Sequence, residues 1–294
     1  MDKSIVEMRN NNTLGYWDYV IGSRRGWFDL NINEIFNYKD LLWFLVKRDI
    51  STFYKQTVLG PIWFFLQPLI TTLVFQLIFN KVAQIPTDGI PPYLFYMSGI
   101  IAWNYFSNCL TETSSTFTIN ADLFGKVYFP RIIIPVSKTI SGLSRLLVQL
   151  ILFLGFYIYY LYFENSEIEP TISTLFYLPF FIFLLAMLGL GIGMFISSLT
   201  TKYRDLKYLV SFGAQLMMYA SPVIYPLSII PDKYKIYIMA NPITPIIEGF
   251  RQAFVSSGEL ELGMIINSLI STIMIFIVGL LVFNKIEKNF IDTV

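Results

Sequence analysis

Six long apolar stretches constrain this chain more than any other feature of its sequence. A helix crosses the bilayer core with roughly 20 apolar residues, and the stretches approach or exceed that length. None of them alternates apolar and polar residues as the strands of a membrane barrel do. We therefore expect an all-α integral membrane protein with six transmembrane helices, at Leu59–Asn80, Pro92–Ser115, Ile133–Phe163, Ser173–Ser198, Tyr208–Ile230 and Met264–Phe283. Prolines and polar residues interrupt the second and fifth of these stretches.

Composition supports a place in the bilayer and argues against several kinds of chemistry. Of the 294 residues, 55% are hydrophobic and 14% are charged, whereas soluble domains carry charge on about a quarter of their residues. The chain has one cysteine, Cys109, and no histidine. We therefore expect no disulfide framework, no metal site and no imidazole acid–base catalysis. The net charge of +1 gives no indication of a nucleic-acid partner.

The distribution of lysine and arginine predicts the orientation of the chain, because cytoplasmic loops are enriched in these residues. The acidic residues Glu164, Glu167 and Glu169 accompany the side with fewer basic residues. We therefore expect both termini in the cytoplasm. Four basic residues fall on the outer side, namely Lys81, Lys233, Lys235 and Arg251, and fifteen fall on the cytoplasmic side: Lys3, Arg9, Arg24, Arg25, Lys39, Lys47, Arg48, Lys55, Lys126, Arg131, Lys202, Arg204, Lys207, Lys285 and Lys288.

The segment before the first span has the periodicity of an amphipathic helix. Its polar residues share about a third of the helix circumference, and apolar residues cover most of the rest. We expect an interface helix on the cytoplasmic surface with its apolar side in lipid, carrying Arg48, Asp49 and Lys55. The alternative is a buried helix of a soluble N-terminal domain. Asp49 lies in the apolar side and requires a cationic or backbone partner from the bundle.

These features divide the chain into three regions. Residues 1–34 form a predicted cytoplasmic N-terminal segment, residues 35–58 the amphipathic interface helix, and residues 59–294 the six-span domain.

The third predicted span carries a mixed stripe on one helix face. Cationic and polar residues occupy its cytoplasmic half and aromatic residues its outer half. Cationic side chains bind phosphate, and aromatic rings pack against the C–H faces of sugars. One hypothesis is therefore that this face lines a conduit for an anionic, lipid-linked glycan. Alternatively, Lys138 snorkels to the surface and the aromatics form an interfacial belt. The stripe consists of Lys138, Gly142, Arg145, Gln149, Leu152, Phe156, Tyr160 and Phe163.

Small residues on the fourth predicted span indicate close helix packing. Gly189 and Gly193 stand four residues apart on one face, with Ala186 a turn before them. Such spacing lets two helix backbones approach each other. We expect these glycines to serve packing and not ligand binding.

Several short motifs together resemble the membrane subunits of type-2 ABC exporters for O-antigen, capsule and teichoic acid. The resemblance extends from about residue 35 to the C-terminus. The motifs are Arg48-Asp49-Ile50, Tyr54-Lys55-Gln56-Thr57, Leu59-Gly60-Pro61-Ile62-Trp63, Gln67-Pro68, Tyr203-Arg204-Asp205-Leu206, Ser221-Pro222-Val223-Ile224-Tyr225-Pro226, Asn241-Pro242-Ile243-Thr244-Pro245 and Glu248-Gly249-Phe250-Arg251.

The resemblance implies a homodimeric permease in the bacterial inner membrane, paired with two cytosolic nucleotide-binding subunits. The chain contains no P-loop motif, so ATP and Mg would be bound by those partners and no cofactor by this chain. By the same resemblance, the loop at about Asn120–Arg131 is the element that couples to the ATPase; the alternative is a plain solvated loop. The implied coupling residues are Asp122, Phe124, Lys126, Tyr128, Phe129 and Arg131.

The resemblance also implies short re-entrant helices that form an outer gate between the fifth and sixth spans. Pro242–Phe254 suits this role, because Pro245 fits a helix start and apolar residues recur on one face. The implied gate residues are Pro242, Pro245, Glu248 and Arg251, and the implied aromatic channel residues are Tyr159, Tyr160 and Tyr219.

The functions that remain open differ in their use of ATP. The expected function is export of undecaprenyl-linked polysaccharide, with O-antigen favoured by the resemblance. Alternatives within the class are teichoic acid, capsule, or a small lipid or drug. Two alternatives lie outside the class of ABC exporters. One is an integral-membrane glycosyl or phosphoryl transferase, which the scattered loop acids and the absence of histidine disfavour. The other is a channel, which the implied coupling loop disfavours.

Overall fold

The described part of the chain is a bundle of helices of unequal length. The computed structural model describes residues 32–55, 60, 62–124, 126–163, 174–203, 205–254 and 261–289, and no strand occurs among them. The helices are α1 (Ile32–Asn37), α2 (Lys39–Lys55), α3 (Ile62–Phe75, continued by a π-helical segment Gln76–Val82), α4 (Pro92–Ser114), α5 (Thr116–Ile119), α6 (Ala121–Phe124), α7 (Ile133–Phe163), α8 (Thr174–Thr200), α9 (Leu206–Tyr219), a 3₁₀ turn (Leu227–Ile229), α10 (Asp232–Ala240), α11 (Ile243–Phe254) and α12 (Leu262–Asn289).

Four of the described segments are long and apolar enough to cross a membrane. They are Ile62–Val82, Ile133–Phe163, Phe176–Thr200 and Leu262–Glu287, and they correspond to the first, third, fourth and sixth predicted spans. The all-helical membrane class predicted from the sequence is therefore confirmed.

The second and fifth predicted spans are not among these four segments. α4 has 23 residues but carries Glu112 and several polar side chains near its C-terminal end, and most of its length is buried inside the bundle. α9 ends at Tyr219 after 14 residues, which corresponds to about 21 Å. Pro222 follows shortly, and a proline disfavours helical backbone in the residue before it.

Close helix packing around α8 depends on glycine. A Cβ atom at Gly189 or Gly193 would lie 2.7 Å from Cys109 or 2.6 Å from Thr113 of α4. On the other side, a Cβ at Gly279 of α12 would lie 2.0 Å from the backbone oxygen of Gly191. α8 is therefore held between α4 and α12 at backbone contact distance, which confirms the packing role predicted for Gly189 and Gly193.

The buried apolar side chains form two separate clusters. The large core joins α4, the middle and C-terminal part of α7, α8, α9 and α11. The small core lies at the other end of α8 and joins α2, α5, α6 and the ends of α7, α8 and α12. Its buried members are Leu45, Phe117, Phe124, Phe129, Ile133, Ile134, Leu190, Met194 and Phe283.

The predicted interface helix is α2, and its surface has three sectors. Leu45, Val46 and Asp49 are buried against the bundle, where α2 packs along α7. Trp43 is exposed and apolar, and Lys47 is exposed and charged. The apolar side predicted to face lipid is thus divided, because part of it covers protein and part remains exposed.

Candidate functional site

A buried ion pair joins the interface helix α2 to α7. Asp49 is 5% exposed, and its Oδ2 lies 2.9 Å from Nζ of Lys138. Its other oxygen, Oδ1, accepts hydrogen bonds from Nη2 of Arg48 at 2.8 Å and Nε of Arg48 at 3.1 Å. The predicted cationic partner for Asp49 is therefore present, and Lys138 is engaged by α2 within the protein.

A second contact lies two helical turns further along α7. Arg145 donates a hydrogen bond from Nη2 to Oε1 of Glu112 on α4. Its guanidinium carbon lies 3.8 Å from the ring centroid of Phe53 on α2 and 5.9 Å from that of Phe64 on α3. A guanidinium over an aromatic face gains cation–π attraction. Arg145 thus connects four helices, α2, α3, α4 and α7.

Both cations of the α7 stripe are paired with carboxylates. Lys138 pairs with Asp49 and Arg145 with Glu112, so an anionic ligand at either position competes with an internal carboxylate. Gln149, the next polar member of the stripe, is buried. The polar half of the stripe therefore faces protein in this structure.

The aromatic half of the stripe is partly exposed. The ring of Phe156 packs against Tyr93 of α4 at a centroid distance of 4.5 Å. Tyr159 is exposed and contacts the rings of Tyr160 and Phe163. A shallow groove of about 410 Å³ runs between α3 and α7 beside these rings, lined by Phe65, Ile151, Leu152, Gly155, Phe156 and Tyr159.

Tyr219, the remaining aromatic assigned to the path, lies on a different element. It is exposed at the C-terminal end of α9, where its backbone oxygen accepts a hydrogen bond from the hydroxyl of Tyr225 at 3.3 Å. The described contacts do not bring it to the α7 aromatics.

The segment between α4 and α7 divides the predicted coupling residues into two sets. Asp122, Lys126 and Tyr128 are exposed. Phe124 and Phe129 are buried in the small core, with ring centroids 5.8 Å apart. The inward aromatics fix the segment to the bundle, and the outward residues leave a charged and aromatic surface, extended by exposed Ile119 and Val127.

Arg131 ties this segment to the end of α12. Its backbone N–H donates to Oε1 of Glu287 at 2.9 Å, and its Nη1 donates to the backbone oxygen of Glu287. A cation at a helix C-terminus also meets the negative end of the helix dipole. Burial lowers the pKa of Arg131, while the charges of Glu287 and Tyr128 act to raise it. The guanidinium stays charged and serves as a structural link.

Two short helices, α10 and α11, stand where the gate helices are predicted. Asn241 Oδ1 accepts a hydrogen bond from the N–H of Ile243 at 3.1 Å, and the Pro242 oxygen accepts one from Ser268 of α12 at 2.7 Å. Pro245 lies in the first turn of α11, where a backbone N–H would have no partner within the helix, so proline is tolerated there. α11 is buried along nearly all its length, whereas α10 has no buried residue.

Glu248 and Arg251 form a buried pair inside the large core. Arg251 is 2% exposed; its Nη1 donates to Oε1 of Glu248 at 2.8 Å, and its Nη2 donates to the Pro222 oxygen at 2.9 Å. The guanidinium carbon lies 3.7 Å from the ring centroid of Phe95 on α4. This pair clamps α11 to α4 and to the segment after α9.

Sequence reasoning missed several of these partners. Glu112 had a usable signal, because a carboxylate inside a predicted span requires a partner. Phe53, Phe64 and Phe95 had none, because cation–π contacts join residues remote in sequence. No group of three or more histidine, cysteine, aspartate or glutamate side chains able to hold a metal occurs among the residues that the structure describes.

Comparison with known proteins places these features in a family. The profile of the ABC-2 type transporter family matches residues 40–255. The O-antigen export system permease protein RfbA of Klebsiella pneumoniae is 30% identical over 254 residues, which cover 86% of this chain and 94% of that protein. A protein of the same name from Myxococcus xanthus is 28% identical over 76% of this chain and 83% of its own length. The polysialic acid transport protein KpsM of Escherichia coli is 24% identical over 83% of this chain and 92% of its own length.

Proposed function

The chain belongs to the ABC-2 type transporter family, and we propose that it is the permease subunit of an ATP-driven exporter of undecaprenyl-linked polysaccharide, with O-antigen as the cargo. The observation that carries this proposal is similarity over nearly the whole length of an O-antigen export permease. The family profile, which matches residues 40–255, spans the interface helix, the segment between α4 and α7, and the α10–α11 pair. The protein works in the bacterial inner membrane.

The proposed membrane arrangement has six spans, with α4 and α9 as the second and fifth. α4 tolerates its polar residues because it is buried among other helices, and buried polar groups are less costly when they have protein partners. α9 is short, so the segment after Tyr219 completes the crossing. Both termini lie in the cytoplasm, on the side of the basic excess.

ATP hydrolysis is assigned to two separate cytosolic subunits that bind ATP and Mg. They dock on the exposed surface formed by Asp122, Lys126 and Tyr128, which the buried Phe124 and Phe129 hold in place. Arg48 and Lys55 of α2 are exposed, and Leu45 of the same helix lies in the small core with Phe124 and Phe129. A homodimer of this chain, with α10 and α11 as the outer gate, forms the path.

The substrate path uses the α7 stripe and neighbouring aromatics. The exposed rings of Tyr159 and Tyr219 suit sugar faces, and the groove beside Phe156 suits an isoprenoid chain. Arg145 attracts the phosphate of the lipid carrier at long range while it stays paired with Glu112. Lys138, engaged by Asp49, is a positioning residue beside the path. Gln149 supplies hydrogen bonds between the cationic and aromatic halves.

A second candidate cargo is a capsular polysaccharide. The similarity to a polysialic acid transport protein favours it over teichoic acid, a small lipid or a drug. The lower identity of that relative, 24% against 30%, places O-antigen first.

Deletion of the gene in its own host tests the proposal. We expect surface polysaccharide to disappear while undecaprenyl-linked glycan accumulates inside the cell, and the wild-type gene to restore both. A matching deletion of the ATPase subunit should give the same phenotype. Normal surface polysaccharide in the permease deletion would contradict the proposal. Loss of capsule with O-antigen intact would assign the second cargo.

A further inference from the structure

The contacts between α2 and the bundle fall into a continuous polar and aromatic array at the boundary between the two cores. We define the α2 latch as Asp49 and Phe53 of α2, Lys138 and Arg145 of α7, and Glu112 of α4. We call the predicted coupling loop, Asn120–Arg131, the coupling segment. Next to the latch, Leu45 of α2 enters the small core together with Phe124 and Phe129 of the coupling segment.

We propose that the α2 latch is a transmission device: it stays closed during transport and makes α2, the coupling segment and the adjoining parts of α7 and α4 move as one body. This inference rests on the proposed function, because it presumes an ATPase that displaces α2 and the coupling segment. Asp49, Lys138, Arg145 and Glu112 are then positioning residues.

The two contacts act at different points along α2 and therefore resist rotation as well as separation. Asp49 and Phe53 are four residues apart and lie on one face of α2. Lys138 and Arg145 are seven residues apart, about two turns of α7. A single contact would leave α2 free to pivot, whereas two contacts a turn apart fix its angle to α7.

Burial makes the ionic part of the latch hard to open. Asp49 is 5% exposed, and separating a buried carboxylate from its cation leaves an uncompensated charge in a poorly solvated place. Arg145 is held from two directions, by Glu112 and by the ring of Phe53. We therefore expect the latch to stay closed throughout a cycle.

Arg48 allows the latch to be broken without unfolding the protein. It pairs with Asp49 from the same helix, so removal of Lys138 leaves the carboxylate with a cationic partner. Lys138→Gln thus removes the ionic contact and leaves α2 free to pivot on the Phe53–Arg145 contact, while the charge on α2 stays compensated. Lys47 is exposed on the same helix, and Lys47→Gln is the matched control.

The test uses the complete permease–ATPase complex in proteoliposomes, with undecaprenyl-linked glycan as substrate. ATP hydrolysis and glycan translocation are measured on the same vesicles. We expect Lys138→Gln to hydrolyse ATP within about twofold of wild type but to translocate about tenfold less glycan per ATP, a typical size for coupling between sites. Lys138→Arg should restore more than half of the coupling, and Lys47→Gln should equal wild type.

A covalent bridge provides an independent measurement. Asp49→Cys with Lys138→Cys, in a Cys109→Ala background, removes both charges and so leaves neither buried without its partner. The unbridged double variant should be uncoupled, and bridging the two thiols with a short bifunctional reagent should restore glycan translocation per ATP. Bridging that lowers translocation would show that α2 must separate from α7 and would overturn the latch.

The outcomes separate this inference from the proposed function. Wild-type vesicles that translocate no glycan would overturn both. Wild-type translocation together with unchanged coupling in Lys138→Gln would overturn the latch alone. Equal loss of ATP hydrolysis and translocation in Lys138→Gln, with no rescue by the covalent bridge, would reduce Lys138 to a structural residue and would also overturn it.

Discussion

At the scale of single residues, the described part of this protein pairs charges inside the bundle, and two of these pairs join separate helices. Asp49 meets Lys138 across α2 and α7, and Glu112 meets Arg145 across α4 and α7. A charged group inside a membrane protein is costly without a partner. Each pair therefore fixes the relative position of two elements.

The Glu248–Arg251 pair gives the sharpest residue-scale prediction. Arg251→Ala leaves Glu248 buried without its cation, a change that typically costs about 3–5 kcal/mol. We expect a large loss of thermal stability in detergent, and a smaller loss in the double variant Glu248→Gln with Arg251→Met. Lys39→Ala, at an exposed lysine, is the control. Equal melting temperatures for Arg251→Ala and wild type would contradict the clamp.

The sequence predicted that Asp49 needs a cationic or backbone partner but not which residue supplies it. Amphipathic periodicity is local and places Asp49 on the apolar side of α2. Its partner lies 89 residues further along the chain, and no local pattern encodes that distance. The same limit applies to Arg145, whose position in the stripe was predicted while its contacts with Phe53 and Glu112 were not.

At the scale of elements, backbone contact between α8 and its neighbours determines how the bundle packs. Gly191 and Gly279 let α8 and α12 meet without side chains between them. The sequence identified glycine spacing on α8, and the structure adds the reciprocal glycine on α12. That partner was missed because Gly279 and the other glycine of α12, Gly263, are too far apart in the helix to form a packing pattern.

Gly279→Ala should separate α8 from α12. The new methyl group would lie 2.0 Å from the backbone oxygen of Gly191, and backbone does not yield as a side chain does, so the helices must shift. Overpacking of this kind costs about 1–3 kcal/mol, and we expect a lower melting temperature and less protein in the membrane. Gly213→Ala, where no atom lies within 4 Å of the added carbon, is the control. A change of equal size in both variants would contradict the packing account.

The coupling segment supports a prediction about assembly. Tyr128 is 61% exposed, while Phe129 beside it is buried, so Tyr128→Ala removes docking surface without opening the core. We expect Tyr128→Ala combined with Asp122→Lys to lower the amount of ATPase subunit that co-purifies with the chain by about tenfold, as loss of a docking anchor typically does. Tyr177→Ala, at an exposed tyrosine near the start of α8, should leave co-purification unchanged. Equal recovery of the ATPase in all variants would remove this surface from the interface.

The elements themselves were largely predictable, for a physical reason. Long apolar runs gave α3, α7, α8 and α12, because length and hydropathy together specify a spanning helix, even where a proline lies inside it, as Pro68 does in α3 and Pro179 in α8. α4 and α9 were harder, since protein contacts compensate the polar residues of α4 and a proline-containing segment ends α9. The position of α11 was predicted at Pro242–Phe254 from a resemblance to a family, with support from Pro245 and an apolar face, whereas the bounds of α10 were not predicted.

At the scale of the whole molecule, two apolar cores are joined at a charged boundary. The small core holds the interface helix and the coupling segment, and the large core holds α4, α8 and α11. In the proposed function, movement at the docking surface reaches the path through this boundary, where the α2 latch lies, so one chain combines a docking end with a transport end.

ATP hydrolysis by the chain co-purified with its ATPase partner is the most direct test of the exporter assignment. The activity is measured in proteoliposomes with and without undecaprenyl-linked glycan, and a partner with its P-loop lysine substituted serves as the control. The account predicts that the lipid-linked glycan stimulates hydrolysis and that glycan appears on the opposite side of the membrane only with active ATPase. Translocation that proceeds with the inactive partner, or the failure of any ATPase to co-purify, would contradict it.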